Sequence, residues 1–194
     1  MYPIKVGPWD LVLLAGLPGA GKSTLLASLR DTPQVTVRDS DQVRERLRAV
    51  LPGWLPYRAY RPLVHLTHHL RVLVAALRAP GPVLVHDPAT RSCTRTVLAS
   101  LAWLSGRPAV FLWLDVTQAE ALNGQRARGR LIRPRAFARH VARADLLRQA
   151  LLAGVVPRGW RCAVVLDRAT TCAGLSVVVQ GPLTGNAAGA RGGA

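Results

Sequence analysis

The chain has 194 residues, of which 49% are hydrophobic and 19% are charged. This size and composition suit one globular domain with a buried core, which excludes a disordered chain or a coiled coil as the global structure. The three cysteines are too widely spaced for a disulfide scaffold or a cysteine zinc site, so we expect reduced thiols and a cytoplasmic protein. Gln180, Pro182 and several glycines interrupt the longest uncharged stretch, and no membrane helix is expected.

Positive charge dominates the sequence. Lys and Arg number 26 against 10 acidic residues, which gives a formal net charge of +16. Such a charge attracts polyanions, so nucleotides and nucleic acid are candidate partners. Codon bias in a GC-rich genome explains the same abundance of arginine without any function. Only Lys5 and Lys22 are lysines, and a lysine kept in so arginine-rich a chain indicates a place that arginine cannot serve.

Short apolar runs alternate with helical patterns along the chain. Five runs rich in Val or Leu predict buried strands: Leu11–Ala15, Val35–Val37, Val83–Val85, Ala109–Leu114 and Ala163–Leu166. Six segments between them predict helices: Ser23–Arg30, Asp41–Leu51, Ala59–Leu77, Thr94–Leu104, Gln118–Arg128 and Arg135–Leu152. This alternation predicts a three-layer α/β fold, in which a mainly parallel five-stranded sheet is flanked by helices.

The longest predicted helix carries a row of leucines at alternating spacings of three and four. These are Leu63, Leu66, Leu70, Leu73 and Leu77, which form one apolar stripe. Just before it, residues 52–62 hold three prolines and predict a loop at the mouth of the fold. We expect one domain over residues 1–180, followed by a disordered Gly/Ala-rich tail over residues 181–194.

Residues 16–23 read GLPGAGKS and match the phosphate-binding motif G-x-x-x-x-G-K-[ST]. The motif follows a predicted strand and opens a predicted helix, so its backbone N–H groups and the helix N-terminus favour a phosphate chain. Lys22 is expected to reach the β- and γ-phosphates of ATP, and the Ser23 hydroxyl to bind Mg²⁺. The nucleotide-binding residues are predicted to be Gly16, Pro18, Gly19, Ala20, Gly21, Lys22, Ser23 and Thr24.

From Leu11 to Leu152 the chain resembles the P-loop kinases grouped with the AAA-type ATPases. These include polynucleotide 5′-kinases, zeta-toxin-like kinases and shikimate-kinase-like enzymes. The resemblance implies a P-loop NTPase fold and transfer of a phosphoryl group from ATP to a hydroxyl.

The segment VRDSDQVR, residues 37–44, carries two carboxylates at a predicted strand end. The resemblance implies that Asp41 takes the proton of the acceptor hydroxyl and that Arg44 holds an anionic group of the acceptor. The shikimate-kinase pattern implies instead that Asp39 assists Mg²⁺ while Asp41 holds the acceptor. Either acid therefore remains a candidate base, and capping of the following helix is an alternative role for Asp39.

Asp87 ends the third predicted strand, within the segment VLVHDPATR. It is the candidate acid that holds Mg²⁺ through water, as a Walker-B residue does. Pro88 departs from the pattern of the resembling family, which leaves room for a simple turn role for Asp87.

The segment QRARGRLIR, residues 125–133, occupies the position of a lid in the resembling family. The resemblance implies that Arg126 and Arg130 close over the γ-phosphate, with Arg128 between them and Gly129 as a hinge. Arginines there neutralise charge in the transition state of phosphoryl transfer. A basic surface turn is the alternative.

Two further clusters have structural explanations. The histidines of the long helix have a spacing compatible with metal binding, but no acid or cysteine lies near them in sequence, which favours a helix flank: His65, His68 and His69. Three aromatic residues near the proline-rich loop either stack on an acceptor or cap the core: Trp54, Tyr57 and Tyr60.

The sequence thus predicts an ATP- and Mg²⁺-dependent kinase acting on a hydroxyl. The acceptor is open between a nucleic-acid 5′-end, a nucleotide sugar and a small molecule. The alternative is a regulatory or nucleic-acid-binding ATPase without an acceptor. The oligomeric state is not readable from the sequence.

Overall fold

The structure is a computed structural model, and it describes residues 2–27, 35–129, 131–171 and 174–180. Within these residues the strands are β1 (Tyr2–Val6), β2 (Leu11–Gly16), β3 (Thr36–Asp39), β4 (Val83–His86), β5 (Ala109–Asp115), β6 (Cys162–Asp167) and β7 (Leu175–Val179). The helices are α1 (Lys22–Ala27), α2 (Ser40–Val50), α3 (Tyr57–Arg78), α4 (Ser92–Leu104), α5 (Gln118–Ala127), α6 (Pro134–Leu152) and α7 (Arg168–Thr171).

Five of the strands form one parallel sheet in the order β3-β4-β2-β5-β6. Every residue of β2 and β4 is buried, as expected of central strands covered on both faces by helices. The predicted α/β fold and its five core strands are confirmed. Because all five strands run the same way, their carboxyl ends meet at one edge of the sheet, where ligands bind in open α/β folds.

Strands β1 and β7 were not predicted from the sequence. They pair in parallel as a separate two-stranded sheet, from Tyr2 opposite Leu175 to Val6 opposite Val179. Ile4 and Leu175 bury their side chains in the main core. Each segment is short and lies far from its partner in sequence, so the pairing arises only when the central sheet brings them together.

The leucines of α3 lie on a different face from the one that packs into the protein. The inward face is formed instead by Tyr60, Val64, His68, Val72, Ala75 and Ala76. Of the five leucines of the predicted stripe, Leu73 is half-buried and the other four are exposed. Small residues at the inward positions let the helix approach the sheet closely, and α3 therefore has two apolar faces of which one is packed.

A buried guanidinium ties the end of α3 to the start of β5. Arg107 is 3% exposed and donates hydrogen bonds to the carbonyl oxygens of Ala76, Ala79 and Gly81. It also stacks on the ring of Trp9 at 4.1 Å. The carbonyls at a helix C-terminus carry partial negative charge, and they stabilise this buried cation.

Among the described residues, no helix is long and apolar enough to cross a membrane. The predicted tail, residues 181–194, lies outside the part of the chain that the structure describes.

Candidate active site

The phosphate-binding loop connects β2 to α1, in the strand–loop–helix arrangement that the sequence predicts. Strand β2 ends at Gly16, and Lys22 begins α1. Gly19 and Gly21 have φ values of 93° and 97°, which lie in the left-handed region that favours glycine. A Cβ atom at Gly21 would meet no other atom within 4 Å, so the loop is open on that side.

Lys22 lies inside this loop. Its side chain is folded against the loop, where Nζ donates hydrogen bonds of 2.8 Å to the carbonyl oxygens of Gly16 and Leu17. The residue is only 4% exposed. The carbonyl oxygens of the loop thus satisfy the ammonium group, and Lys22 is buried although the loop itself is open.

Three carboxylates at the ends of two strands act electrostatically on the Lys22 ammonium. Burial lowers the pKa of Lys22 to about 8, and the negative charges of Asp87, Asp41 and Asp39 act against this lowering. The guanidinium of Arg128 adds to the lowering. The carboxyl ends of β3 and β4 thus bring to the phosphate-binding loop all three acids that were singled out from the sequence.

Asp39 is buried, and one of its carboxylate oxygens accepts two hydrogen bonds. Its Oδ1 atom accepts a hydrogen bond of 2.7 Å from Nδ1 of His86, and another of 2.9 Å from the backbone N–H of Asp41. The second bond makes Asp39 the N-cap of α2. The capping role considered for Asp39 is therefore present, and its pairing with His86 is a contact that the sequence did not predict.

Asp41 is half-buried in the first turn of α2. Arg44, the candidate for binding the acceptor, follows it by three residues on the same helix. The Arg44 guanidinium stacks over the ring of Tyr57 at 4.4 Å. Burial raises the pKa of Tyr57, the cations of Arg44 and Arg61 lower it, and the charge of Asp41 raises it. Of the three aromatic residues considered, Tyr57 thus lies at the site, while Tyr60 is buried in a small core cluster and Trp54 is 81% exposed.

Asp87 is 5% exposed at the end of β4, and its Oδ1 atom accepts a hydrogen bond of 2.7 Å from the N–H of Ala89. Ala89 has a φ of 46°, a left-handed conformation that side chains disfavour. The carbonyl of Pro88 accepts a hydrogen bond of 3.3 Å from Gly16, and the carbonyl of Ala89 accepts one of 2.8 Å from Arg95. Pro88, where the sequence departs from the family pattern, thus holds the start of the phosphate-binding loop through its carbonyl oxygen.

Helix α5 is joined to the phosphate-binding loop through Gln125, which the sequence analysis did not single out. This side chain is 3% exposed. Its Nε2 donates to the carbonyl of Pro18 at 3.0 Å, and its Oε1 accepts from the N–H of Ile132 at 3.0 Å. One buried amide therefore links the loop to the far side of the predicted lid.

The predicted lid arginines take different positions. Arg128 lies with Nη1 at 3.4 Å from the Ser23 hydroxyl, next to the expected metal ligand. Arg126 is exposed, with Nη1 at 3.4 Å from Oδ1 of Asn123. Arg130 lies outside the described residues. Among the described residues of this segment, Arg128 is the arginine with a hydrogen bond to the loop.

Imidazole groups line the side of the site formed by α3. His68 is 1% exposed, and burial lowers its pKa to about 4 although the charge of Asp87 acts in the opposite direction. Burial also lowers the pKa values of His65 and His69, again against Asp87. Within the described ranges, no group of three or more His, Cys, Asp or Glu residues is arranged to hold a metal ion.

A fourth imidazole joins α6 to the loop after β4. His140 Nδ1 and the Thr90 hydroxyl lie 2.7 Å apart. Burial lowers the pKa of His140, and nearby cations that include Arg143, Arg61 and Lys22 lower it further. Cations from α1, α3 and α6 thus act together on this imidazole.

A cleft of about 680 Å³ lies beside the loop, at the carboxyl ends of β5 and β6. Its lining includes Leu17, Asp115, Thr117 and Asp167. Asp115 is held by Arg148 through two hydrogen bonds of 2.8 and 2.9 Å, so this acid lies away from the Lys22 cluster. The volume is within the range of small-molecule sites.

The residues present fit both ATP and Mg²⁺. Positively charged groups and loop N–H groups suit a polyphosphate. The Ser23 hydroxyl and the carboxylates near Lys22 are oxygen donors, which a hard cation such as Mg²⁺ prefers.

The model of the AAA domain family AAA_33 matches residues 11–154. The chain belongs to this family. As an AAA domain it has its phosphate-binding loop at the start of the matched region and α6 at its end. No sequence among the curated proteins matches the chain.

Solved structures share the fold of this AAA domain at low sequence identity. The tunicamycin resistance protein of Deinococcus radiodurans is 18% identical with a TM-score of 0.56, and the match covers 82% of this chain and 87% of that one. A candidate kinase of Chloroflexus aurantiacus is 13% identical with a TM-score of 0.59, covering 81% and 84%. A protein of the PezAT toxin–antitoxin system of Streptococcus pneumoniae is 13% identical with a TM-score of 0.58, covering 84% and 69%. The AAA domain therefore has the fold of the P-loop kinases.

Proposed function

We propose that this protein is a phosphotransferase that moves the γ-phosphoryl group of ATP to a hydroxyl of an acceptor. One observation carries the proposal: Lys22 of the phosphate-binding loop and the carboxylates of Asp87, Asp41 and Asp39 lie together at one edge of the sheet. A nucleotide-binding protein without transfer chemistry needs Lys22 and one carboxylate for the metal ion, such as Asp87. It does not need a further carboxylate such as Asp41, three residues from an arginine that is held by stacking on Tyr57.

On the donor side, the loop N–H groups and Lys22 would hold the β- and γ-phosphates, and the cleft beside Leu17 would receive the nucleoside. Ser23 and Asp87 would hold Mg²⁺, with Asp87 acting through water. When bound, the metal ion withdraws negative charge from the phosphate oxygens. Arg128 would neutralise charge on the transferring group, and its contact with Ser23 supports this role.

In the transfer step, the acceptor oxygen forms a bond to the γ-phosphorus. The bond from that phosphorus to the β–γ bridging oxygen breaks, and ADP leaves with the electron pair. We assign the base to Asp41, whose carboxylate takes the acceptor proton. Asp39 is the weaker candidate because its carboxylate is already bonded to His86 and caps α2. Asp39 instead holds the backbone of Asp41 in place.

On the acceptor side, Arg44 is proposed to bind an anionic group. Its guanidinium is fixed by stacking on Tyr57, while its Nε atom is buried and has no hydrogen-bond partner among the described residues. Leaving such a donor unpaired costs about 1–3 kcal/mol. An acceptor that carries a carboxylate or phosphate would satisfy it with a charge-assisted hydrogen bond.

The test is incubation with ATP labelled at the γ-phosphate and a panel of acceptors: 5′-hydroxyl oligonucleotides, nucleotide sugars, and small polyhydroxyl compounds with and without an anionic group. We expect the label in one acceptor class, with Lys22→Ala and Asp41→Asn as inactive controls. Label that appears only as inorganic phosphate, with every acceptor unlabelled, contradicts the kinase assignment.

The net charge of +16 supports a second candidate, an ATPase that binds nucleic acid. Such a protein would bind DNA or RNA with a steep salt dependence and would transfer no label. Measuring binding of a labelled oligonucleotide at several salt concentrations, beside the transfer assay, separates the two functions.

A further inference from the structure

The outward face of α3 presents a continuous apolar row. Its members are Leu63, Leu66, Leu70, Val74 and Leu77, each between 44% and 58% exposed, and we name this row the outer stripe. The residues follow one another at spacings of three, four, four and three, so they lie on one side of the helix. The row spans about 21 Å at the rise of an α-helix.

The stripe is not explained by the fold. The opposite face of α3 is the one that packs inward, through residues that include Val64, Val72 and Ala76. A surface helix of a globular protein normally has one apolar stripe facing the core and a polar outer face. A second apolar stripe, exposed over four turns, is the signature of a surface that another element covers.

The charges beside the stripe are positive. Helix α3 carries four arginines and no acidic residue: Arg58, Arg61, Arg71 and Arg78. Burial lowers the pKa of Arg71, and the nearby cations of Arg46 and Arg38 lower it further, while Asp39 acts in the opposite direction. Arg71 and Arg78 lie about a quarter turn from the stripe on the same side of the helix, so the surface is apolar along its centre and basic at that side. Arg61 instead faces the site, where its Nε donates to His65.

We propose that the outer stripe of α3 docks an acidic amphipathic helix of a partner protein. Spacings of three and four residues along the stripe are those at which two helices interlock their side chains along a narrow seam. Glutamate or aspartate beside the partner's own apolar row would face the arginines of α3 and pair with them. The inference does not rest on the proposed function.

Other occupants fit less well. Pairing two copies of α3 would bring together only positive charges, because the helix has no acid. Residues 181–194 contain one leucine and no acid, so they cannot supply a complementary helix. A membrane surface would bind a wide apolar face, whereas here the helices packed beside α3 limit how far the narrow stripe can enter lipid.

The test uses two synthetic peptides of about three heptads, since shorter helices are marginal in water. Both carry leucine at the a and d positions; one has glutamate and the other lysine at the e and g positions. Fluorescence anisotropy of each labelled peptide is measured against the full-length protein. We expect the glutamate peptide to bind at least tenfold more tightly than the lysine peptide, with the difference shrinking as salt is raised.

Two protein variants locate the contact. Leu66→Asn combined with Leu70→Asn should weaken binding of the glutamate peptide at least tenfold. Leu152→Asn, at a leucine of α6 that is also 58% exposed, should leave it unchanged. Because all three leucines are exposed, the melting temperatures of both variants should match that of the parent.

Four outcomes overturn the proposal. They are equal affinity for the two peptides, no binding of either, a parent dimer that the Leu66/Leu70 variant abolishes, and binding to anionic phosphatidylserine vesicles that the same variant abolishes. The dimer would assign the stripe to a second copy of the chain, and vesicle binding would assign it to a membrane surface. Light scattering and vesicle sedimentation give these two readouts.

Discussion

Gly19 of the phosphate-binding loop and Gly124 of α5 lie backbone against backbone. A Cβ atom at Gly124 would overlap the carbonyl oxygen of Gly19, and a Cβ atom at Gly19 would overlap the carbonyl oxygen of Ala121. The contact continues one residue further along α5, where Gln125 donates to the carbonyl of Pro18. The shape of the phosphate-binding loop therefore depends on a helix that is about one hundred residues distant in sequence.

Gly124→Ala should displace α5 from the loop, since the obstructing atom belongs to backbone and cannot rotate away. We expect the affinity for ATP to fall at least tenfold, together with a lower melting temperature. Isothermal titration and thermal unfolding measure the two effects. Gly53→Ala is the matched control, because a Cβ atom there meets nothing within 4 Å. Unchanged ATP affinity in Gly124→Ala would show that the loop adapts without this contact.

The affinity for ATP should depend on pH through Lys22, whose pKa is about 8. Phosphates bind the protonated ammonium, so the affinity for ATP should weaken once the pH exceeds 8. The loss should be at most about tenfold per pH unit, which is the change expected when binding requires one proton. The measurement is the Kd for ATP between pH 6.5 and pH 9.5. Lys22→Arg stays protonated over this range, and its affinity, although lower, should be nearly constant.

The same pKa predicts an effect on stability. A lysine with a folded-state pKa below its unfolded value of 10.5 binds fewer protons in the folded protein, so stability should rise with pH between about 8 and 10.5. Lys22→Met removes a buried charge and should melt at or above the temperature of the parent at pH 7. ATP should raise the melting temperature of the parent only. A large loss of stability in Lys22→Met would show that the two carbonyl hydrogen bonds outweigh the cost of burial.

Substitution of Asp41 should lower the rate of transfer, whereas substitution of Asp39 should mainly lower the stability of the protein. Asp41→Asn removes the base and should lower kcat by about 10²-fold or more, with the ATP affinity little changed. Asp39→Asn should mainly destabilise the protein by about 1–3 kcal/mol, since it alters a helix cap and a buried partner of His86. Steady-state kinetics and thermal unfolding of both variants decide between them. If Asp39→Asn loses transfer while remaining fully stable, the base is Asp39.

The metal assignment predicts that Ser23→Ala and Asp87→Asn each raise the Mg²⁺ concentration needed for half-maximal transfer. Both side chains would supply oxygen atoms to the metal under this assignment, so excess Mg²⁺ should restore part of the activity. The measurement is the transfer rate against Mg²⁺ at fixed ATP. Normal activity of Asp87→Asn at limiting Mg²⁺ would leave Asp87 with only its turn contact to Ala89.

Arg107→Met should destabilise the protein by about 3 kcal/mol or more, because three buried carbonyls of α3 and the following loop lose their donor, at about 1–3 kcal/mol each. Arg148→Met is the control: its guanidinium is largely exposed, and its bond to Asp115 is expected to contribute at most about 1 kcal/mol. Urea unfolding of the two variants gives the difference. Similar losses in both would mean that the buried guanidinium gains little from its carbonyl partners.

The sequence by itself determined the features that depend on neighbouring residues. The glycines and Lys22 of the phosphate-binding loop form a local motif, and the apolar runs before and after it specify strands whatever they pair with. The acids after these runs were placed at the sheet edge because parallel strands end on the same side. The capping role of Asp39 was also readable, since an N-cap acts within one helical turn.

Only the tertiary structure decided which helix face packs inward and which residues distant in sequence become partners. Helix α3 has apolar residues on two faces at the same helical spacing, so periodicity could not tell which face packs. In the structure the packed face is the one that carries Val64, Val72 and Ala76. The partnership of Asp39 with His86, and that of Gly19 with Gly124, join segments distant in the chain. No local pattern encodes them, because close approach and burial are properties of the packed elements and not of either segment alone.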